Sequence, residues 1–234
     1  MFAGAKVIIL LGPPGSGKGT QAERLSSALG ICAISTGEML RREAQSGSAL
    51  GKMVQDVLSS GQLVSDNLIN RVVAHRLQQA DCATGCILDG YPRTVAQAQF
   101  LDALLEKWNV PAPVVLNFEI PCEEVVSRLS RRRQCTECGR VYTVSTLSTE
   151  TGILCDRDGS MLVQRADDHP STIRERLRIY EKNAGQLINY YRSRDYHRVC
   201  ATGAPSEIAD GLMALLGSQW LPSLSPVVLA EPRA

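Results

Sequence analysis

The sequence lacks an excess of charge of either sign: 25 basic residues stand against 24 acidic ones. A chain so balanced has no overall pull on nucleic acid or on an anionic membrane surface. It also lacks a long apolar run. No stretch approaches the roughly 20 apolar residues of a membrane span. Residues 1–11 begin like a short export signal but run directly into a glycine-rich loop, so they read as structure and not as an address. A cytoplasmic location is the expectation, and in a reducing compartment the eight cysteines are not read as disulfides. Five of them, Cys32, Cys82, Cys86, Cys122 and Cys200, are scattered and read as small buried hydrophobes. At 234 residues the chain can bury a sizeable core in one or two domains.

What is present is concentrated in Val7 to Thr20, VIILLGPPGSGKGT. The five apolar residues Val7–Leu11 read as a buried parallel strand. A loop rich in glycine follows, and a helical pattern starts near Gln21. Strand, glycine-rich turn and helix together form the setting of a phosphate-binding loop. Gly15 and Gly17 let backbone N–H groups around Ser16 curl about an anion, the helix points its positive end at the same place, and Lys18 adds a full charge. The general motif places Ser or Thr directly after the lysine to hold magnesium. Here that position is Gly19, and the hydroxyl comes one residue later, at Thr20.

Further along, Ser35 or Thr36 reads as the N-cap of a helix containing Glu38 and Arg41. Helical patterning continues to Leu77, with breaks at Ser46–Ser48 and Ser59–Gly61. Gly85–Asp89 reads as a second buried strand ending in a carboxylate, placed to hold a magnesium shell beside the phosphate loop. It runs into Gly90-Tyr91-Pro92-Arg93-Thr94, then Gln97. Phe100, Leu101, Leu104, Leu105 and Trp108 carry helical core spacing. Val114–Phe118 reads as a third strand. The helix after Pro121 leads into Arg128, Arg131, Arg132 and Arg133, a density of fixed positive donors suited to a polyphosphate.

Cys135-x2-Cys138 and Cys155-x2-Asp158 are separated by sixteen residues. Two short loops offering two ligands each can close a tetrahedron, and three thiolates favour zinc. A structural zinc keeps no open position, so it is expected to hold a segment with little core of its own and to perform no chemistry.

The loop GPPGSGKGT resembles that of adenylate kinases and related nucleoside monophosphate kinases. STGEMLR, DGYPRT and CDRDGSMLVQRADD also resemble adenylate kinase stretches, in family order, across residues 6–217. The resemblance implies an α/β fold of P-loop NTPase type: a parallel sheet flanked by helices, a helical acceptor-binding insert and a zinc-bearing lid. It divides the chain into a core (1–34, 65–130 and 169–217), a flap (35–64), a lid (131–168) and a C-terminal tail (218–234) expected to be mobile. It implies the reaction ATP + AMP = 2 ADP with Mg2+ on the donor, structural Zn2+ on Cys135, Cys138, Cys155 and Asp158, and a monomer without nucleic-acid or membrane partners.

By the same resemblance, the donor ATP would be held by Gly15 to Thr20, Arg128, Arg132, Val141, Tyr142 and the backbone of Gly203. The acceptor AMP would be held by Thr36, Arg41, Gln62, Leu63, Val64, Gly90, Tyr91, Pro92 and Arg93, with Gln97 reading its base. Arg165 and Arg176 would turn towards the two phosphate chains, giving Lys18, Arg93, Arg132, Arg165 and Arg176 as the charge-neutralising set. Asp89 would belong to the magnesium shell. Asp167 and Asp168 would orient the neighbouring arginines. The rivals are a kinase with another donor or acceptor nucleotide, and a nucleic-acid-binding ATPase with a zinc knuckle. Gln97 and the long lid speak against the first, and neutral charge and the DGYPRT stretch against the second.

Overall fold

The structure is a computed structural model describing residues 5–144, 154–217 and 220. Five parallel strands form the main sheet: β1 (Lys6–Leu11), β2 (Cys32–Ser35), β3 (Gly85–Asp89), β4 (Val114–Glu119) and β8 (Tyr196–Cys200), in the order β2-β3-β1-β4-β8. Parallel strands need crossovers, and helices supply them. They are α1 (Lys18–Leu29), α2 (Thr36–Gln45), α3 (Ala49–Ser59), α4 (Asp66–Leu77), α5 (Val95–Lys107), α6 (Cys122–Arg131) and α7 (Pro170–Tyr191). α8 (Pro205–Leu216) follows the last of these five strands.

The alternation of side chains along β1 divides the core into two layers. Val7, Ile9 and Leu11 pack with Ile69, Val73 and Leu77 of α4, Ala98, Leu101 and Leu105 of α5, and Leu187 and Tyr191 of α7. Ile8 and Leu10 pack on the other side, with Ala22, Leu25 and Leu29 of α1 and Leu212 and Leu216 of α8. A continuous apolar strand is therefore what a sheet covered on both faces requires. The core face of α5 is Ala98, Leu101 and Leu105, while Phe100, Leu104 and Trp108 are only half-buried. The expected face is met at Leu101 and Leu105, Leu104 and Trp108 pack at its margin, and Ala98 completes it.

A second, three-stranded antiparallel sheet, β5 (Arg132–Cys135), β6 (Val141–Thr143) and β7 (Leu162–Val163), lies between α6 and α7 in sequence, in the order β6-β5-β7. Thus Arg132 and Arg133 do not extend the helix. α6 ends at Arg131, and the chain turns extended at Arg132. Most of the tail, like residues 145–153 of the lid, lies outside the described residues. The exception is Trp220, which is half-buried against the core cluster of α1 and α8, with the Lys6 ammonium 5.2 Å from its ring centroid.

Candidate active site

All five strands of the main sheet end on one edge, and the functional loops leave from that edge. β1 lies between β3 and β4, so the loop after it emerges where the strand order reverses, the usual place for a ligand crevice in such sheets. The loop bends at Gly12, Gly15 and Gly17, all with positive φ. Space matters as well as conformation: a Cβ on Gly12 would lie 2.7 Å from the Phe118 carbonyl oxygen, and one on Gly15 would lie 2.8 Å from Leu129 Cγ.

The starts of α2, α3, α4 and α5 are closed by hydroxyls. Ser35, Ser48, Ser65 and Thr94 accept from the N–H groups of Glu38, Gly51, Leu68 and Gln97. The start of α1 has Gly17 as its cap, no capping side chain and no acidic residue in the first turn. Its N–H groups are left for an external anion. Lys18 Nζ folds back over the loop, donating to the carbonyls of Gly12 at 2.9 Å and Pro13 at 2.7 Å and to Ser16 Oγ at 3.2 Å. Burial pushes its pKa down to about 8, against the pull of Asp89 and with the help of Arg93, Arg176 and Arg132.

A Cβ on Gly19 would lie in ordinary contact with Asp89 Oδ2, at 3.5 Å. The carboxylate at the end of β3 thus stands over the start of α1. Thr20 is exposed beside it. Next in register, Ser35 pairs with Asp89, which brings Thr36 Oγ1 within 3.0 Å of the Gly90 carbonyl, to which it donates. Arg93 Nε donates to the same carbonyl at 2.7 Å.

A cleft runs from Thr36, Leu40 and Arg41 past Leu58 and Gln62–Val64 to Gly90, Arg93, Gln97 and Arg176. Gln97 is buried in its wall, accepting from the Arg93 N–H at 2.7 Å and donating to Asp66 Oδ1 at 2.6 Å. The end of α3 is tied to α7: Gln62 Nε2 donates to Glu175 Oε1 at 2.6 Å, and Thr172 Oγ1 donates to the Ser59 carbonyl at 3.2 Å. The Tyr91 side chain is not in the cleft wall. It is fully buried, with its hydroxyl donating to Asn70 Oδ1 at 2.7 Å. Pro92, joined to it by a cis peptide, is buried too.

Behind the cleft, two buried acids hold a row of guanidinium groups. Arg132 makes a two-pronged contact with Asp168, in which Nε donates to Oδ2 at 2.7 Å and Nη2 donates to Oδ1. Arg176 Nη1 lies 2.9 Å from Asp167 Oδ2 and 3.4 Å from Asp168 Oδ1, and Arg41 stands 3.8 Å from Asp167. The expectation that Asp167 and Asp168 orient arginines is met by these contacts. Burial alone would raise the Asp167 pKa. Arg176, Arg41, Arg132 and Arg165 reverse this and hold its carboxyl below the ordinary range.

Arg165 Nε donates to Gln134 Oε1 at 2.6 Å, and burial beside Arg41 and Arg132 pulls its pKa down. Arg93 is solvent-accessible, yet loss of water around its guanidinium and the charge of Arg176 pull its pKa down as well. Buried Arg41 Nε finds no acceptor among the described residues. Six cations face three carboxylates here (Lys18, Arg41, Arg93, Arg132, Arg165 and Arg176 against Asp89, Asp167 and Asp168). An excess of positive charge in a confined space suits a polyanion.

On the donor side, Arg128 Nη2 donates to the Ala201 carbonyl at 2.8 Å, and its Nη1 would lie 3.7 Å from a Cβ on Gly17. Gly203 lies in a shallow depression between β8 and α8. Val141 is exposed, whereas the Tyr142 hydroxyl turns onto Asp156 and stands 3.1 Å from Cys155 Sγ. Sequence reasoning did not find Asp66, which fixes Gln97, or Gln21, whose buried amide donates to the Pro205 carbonyl at 2.9 Å. Both partners are remote in sequence and carry no local pattern.

In the second sheet, ligand atoms of Cys135, Cys138, Cys155 and Asp158 all lie within 4.8 Å of one another. Cys138 Sγ and Cys155 Sγ are 3.6 Å apart, and Cys135 Sγ is 3.4 Å from both Asp158 oxygens. Thiolates about 2.3 Å from a shared tetrahedral centre sit about 3.8 Å apart, and a thiolate and a carboxylate about 3.5 Å. The four residues therefore fit a tetrahedral ion. Each half-site turns on a glycine of positive φ placed just after its second ligand, Gly139 and Gly159.

The sequence model of the family described as adenylate kinase matches residues 10–196. The chain belongs to the adenylate kinase family. An adenylate kinase of Anaeromyxobacter dehalogenans is 46% identical over 212 residues, 90% of this chain and 99% of that protein. One of Archaeoglobus fulgidus is 47% identical over 187 residues, 80% and 86% of the two chains. One of Kosmotoga olearia is 46% identical over 184 residues, covering 79% and 86%. The parallel sheet with its phosphate loop at the reversal of strand order accords with an adenylate kinase core.

Proposed function

We propose that this enzyme catalyses reversible phosphoryl transfer between ATP and AMP, giving two ADP. The observation that carries the reading is the guanidinium row pinned by Asp167 and Asp168, spanning the space between the phosphate loop and the cleft lined by Arg41 and Arg93. An oxygen of the acceptor phosphate is itself the nucleophile, so no side chain need form a covalent intermediate. What the protein supplies is alignment and neutralisation of charge spread over the transferring group.

In this reading residues 15–20 with Arg128, Arg132, Val141, Tyr142 and Gly203 hold the donor. Thr36, Arg41, Gln62 to Val64 and Gly90 to Arg93 hold the acceptor, with Gln97 against its base. Tyr91 and Pro92 contribute through backbone, their side chains being buried. Lys18, Arg93, Arg132, Arg165 and Arg176 neutralise charge, and Lys18 leaves its loop carbonyls for the donor phosphates. Magnesium bound with the donor would be held with Asp89 in its shell and would supply positive charge against the phosphates. The lid, residues 131–168, and the flap, residues 35–64, close on the core to exclude water. Zinc on Cys135, Cys138, Cys155 and Asp158 holds the lid together and takes no part in the chemistry. The enzyme works as a cytoplasmic monomer.

A phosphotransfer assay over ATP and GTP as donors and AMP, UMP, CMP and GMP as acceptors tests this. AMP with ATP should give the highest kcat/KM. Equal or better use of a pyrimidine acceptor, or ATP hydrolysis without acceptor phosphorylation, overturns it.

A further inference from the structure

Two cysteines that sequence reasoning set aside as scattered hydrophobes meet in the fold. Cys32 opens β2, and Cys82 ends the short helical turn Ala80–Cys82 that follows α4. Their sulfurs are 2.9 Å apart, closer than the 3.6 Å between the thiols of Cys138 and Cys155. The spacing is about 0.9 Å longer than a disulfide bond of about 2.05 Å. The surroundings differ from an apolar thiol pocket. Arg76 Nη1 donates to Cys82 Sγ at 2.9 Å, and the same guanidinium grips Asp81 with two hydrogen bonds of 2.8 and 2.6 Å. Cys32 is half-buried and can be reached from solvent, whereas Cys82 is fully buried. A guanidinium beside a thiol pair stabilises thiolate, the form that attacks sulfur.

We propose that Cys32 and Cys82 form a reversible intrachain disulfide on reaction with a small-molecule disulfide, with Cys32 attacking first and Cys82 resolving. The Cys32 thiolate bonds to one sulfur of the reagent and expels the other as thiolate. Cys82 then attacks Cys32 Sγ and expels the second. The two protons lost by the cysteines end on the two released thiols, so one reagent disulfide is reduced for each protein disulfide formed. The order follows from access. It agrees with the contact between the two thiols, which lowers the Cys32 pKa against burial and shifts Cys82 the other way.

The bridge would close a loop containing all of α2, α3 and α4, and so would restrict the unfolded chain. It would lie at the end of the sheet opposite the phosphate loop, because Cys32 is the first residue of β2 and Ser35, the last, adjoins the site. Oxidation should therefore stabilise the protein without blocking the cleft.

The test uses the full-length, zinc-loaded protein and oxidised glutathione as the probe, followed by alkylation, digestion and mass spectrometry. The expected result is a linked peptide pair carrying Cys32 and Cys82, a fall of two in titratable thiols, and a melting temperature higher by several degrees. Turnover should change by less than about twofold because bridge and cleft share no groups, and reductant should reverse all of it. Cys82→Ser should accumulate a lasting mixed disulfide at Cys32, and Cys32→Ser should leave Cys82 unmodified. The wild-type digest needs no variant to fold. A wild-type protein in which Cys32 stays free or stops at the mixed disulfide overturns the proposal. So does a bridge drawn from Cys135, Cys138 or Cys155, or protection of both Cys32 and Cys82 by a second equivalent of bound zinc.

Discussion

The parallel-sheet core and the small antiparallel sheet of residues 132–163 solve the same problem by different means. In the core, Ile8, Ile9, Ile87, Leu88, Val115 and Leu116 are wholly removed from water, each contributing on the order of 1.5–3 kcal/mol. In the smaller sheet, the buried cluster among the described residues is Cys135, Cys155 and Leu162, with Tyr142 partly covering it. Its larger apolar residues, Val141, Leu154, Met161 and Val163, are exposed. A segment with so little buried area needs another tie, and its four convergent ligand atoms suit a metal. The cleft of Arg41, Arg93 and Arg176 follows a third rule: Arg41 and Arg176 are held in place by acids buried behind them. Position there is fixed by charge, at the cost of desolvating it.

The comparison breaks most sharply at Asp168, which is fully buried and is the partner of Arg132 and Arg176. Asp168→Ala leaves Arg132 without its carboxylate and Arg176 with Asp167 alone. It should cost about 3–5 kcal/mol of unfolding free energy, read from denaturant midpoints, and turnover should fall with it. A loss below about 1 kcal/mol would mean that the arginines are held by packing instead.

Lys18→Ala separates function from folding. Loss of one fixed donor aimed at developing charge should lower kcat about 10²–10³-fold. The melting temperature should hold or rise, because the buried ammonium is a burden on the free fold. Near-normal kcat removes Lys18 from the proposed neutralising set.

How much of this was legible beforehand depended on range. The phosphate loop, the Asp89 strand end and the four-ligand pattern are local, and each needs particular residue types at fixed spacing. They could be read because a turn or a knuckle is dictated by neighbours in sequence. The partners that organise the site are mostly remote: Asp66 with Gln97, Glu175 with Gln62, Pro205 with Gln21. Nothing in the sequence near Gln97 announces that Asp66 will take its amide. Nor does the DGYPRT stretch reveal that Tyr91 points inward and Arg93 outward. Periodicity found α5 and its buried Leu101 and Leu105, but not that Ala98 completes the stripe, because the sheet chooses where the stripe is centred.

Cys135→Ser sharpens the contrast between the two sheets. The variant should bind less zinc and melt a few degrees lower, with cleavage by a protease appearing first within residues 132–163. Far-ultraviolet dichroism of the helical core should hardly change. An unchanged metal content and melting temperature would show that the small sheet stands without its ion, and a uniform loss of core helix would show that the two regions are not separable.

The smallest effect is a proton count, and it bears on the same division between burial and charge. With its pKa held near 8 by burial, Lys18 of the free protein is largely neutral at about pH 9, while an unfolded lysine is still charged. The unfolded state binds more protons between about pH 8 and 10.5, so this group's penalty on the fold is complete below pH 8 and fades across that window. A bound polyphosphate restores the charge. Binding of Mg–ATP should therefore take up a larger fraction of a proton at pH 9 than at pH 7, measured by calorimetry in two buffers of different ionisation enthalpy. Lys18→Ala should abolish the difference. Equal uptake at the two pH values would assign the proton to another group, and with it the claim that the lysine waits uncharged on its own loop until phosphate arrives.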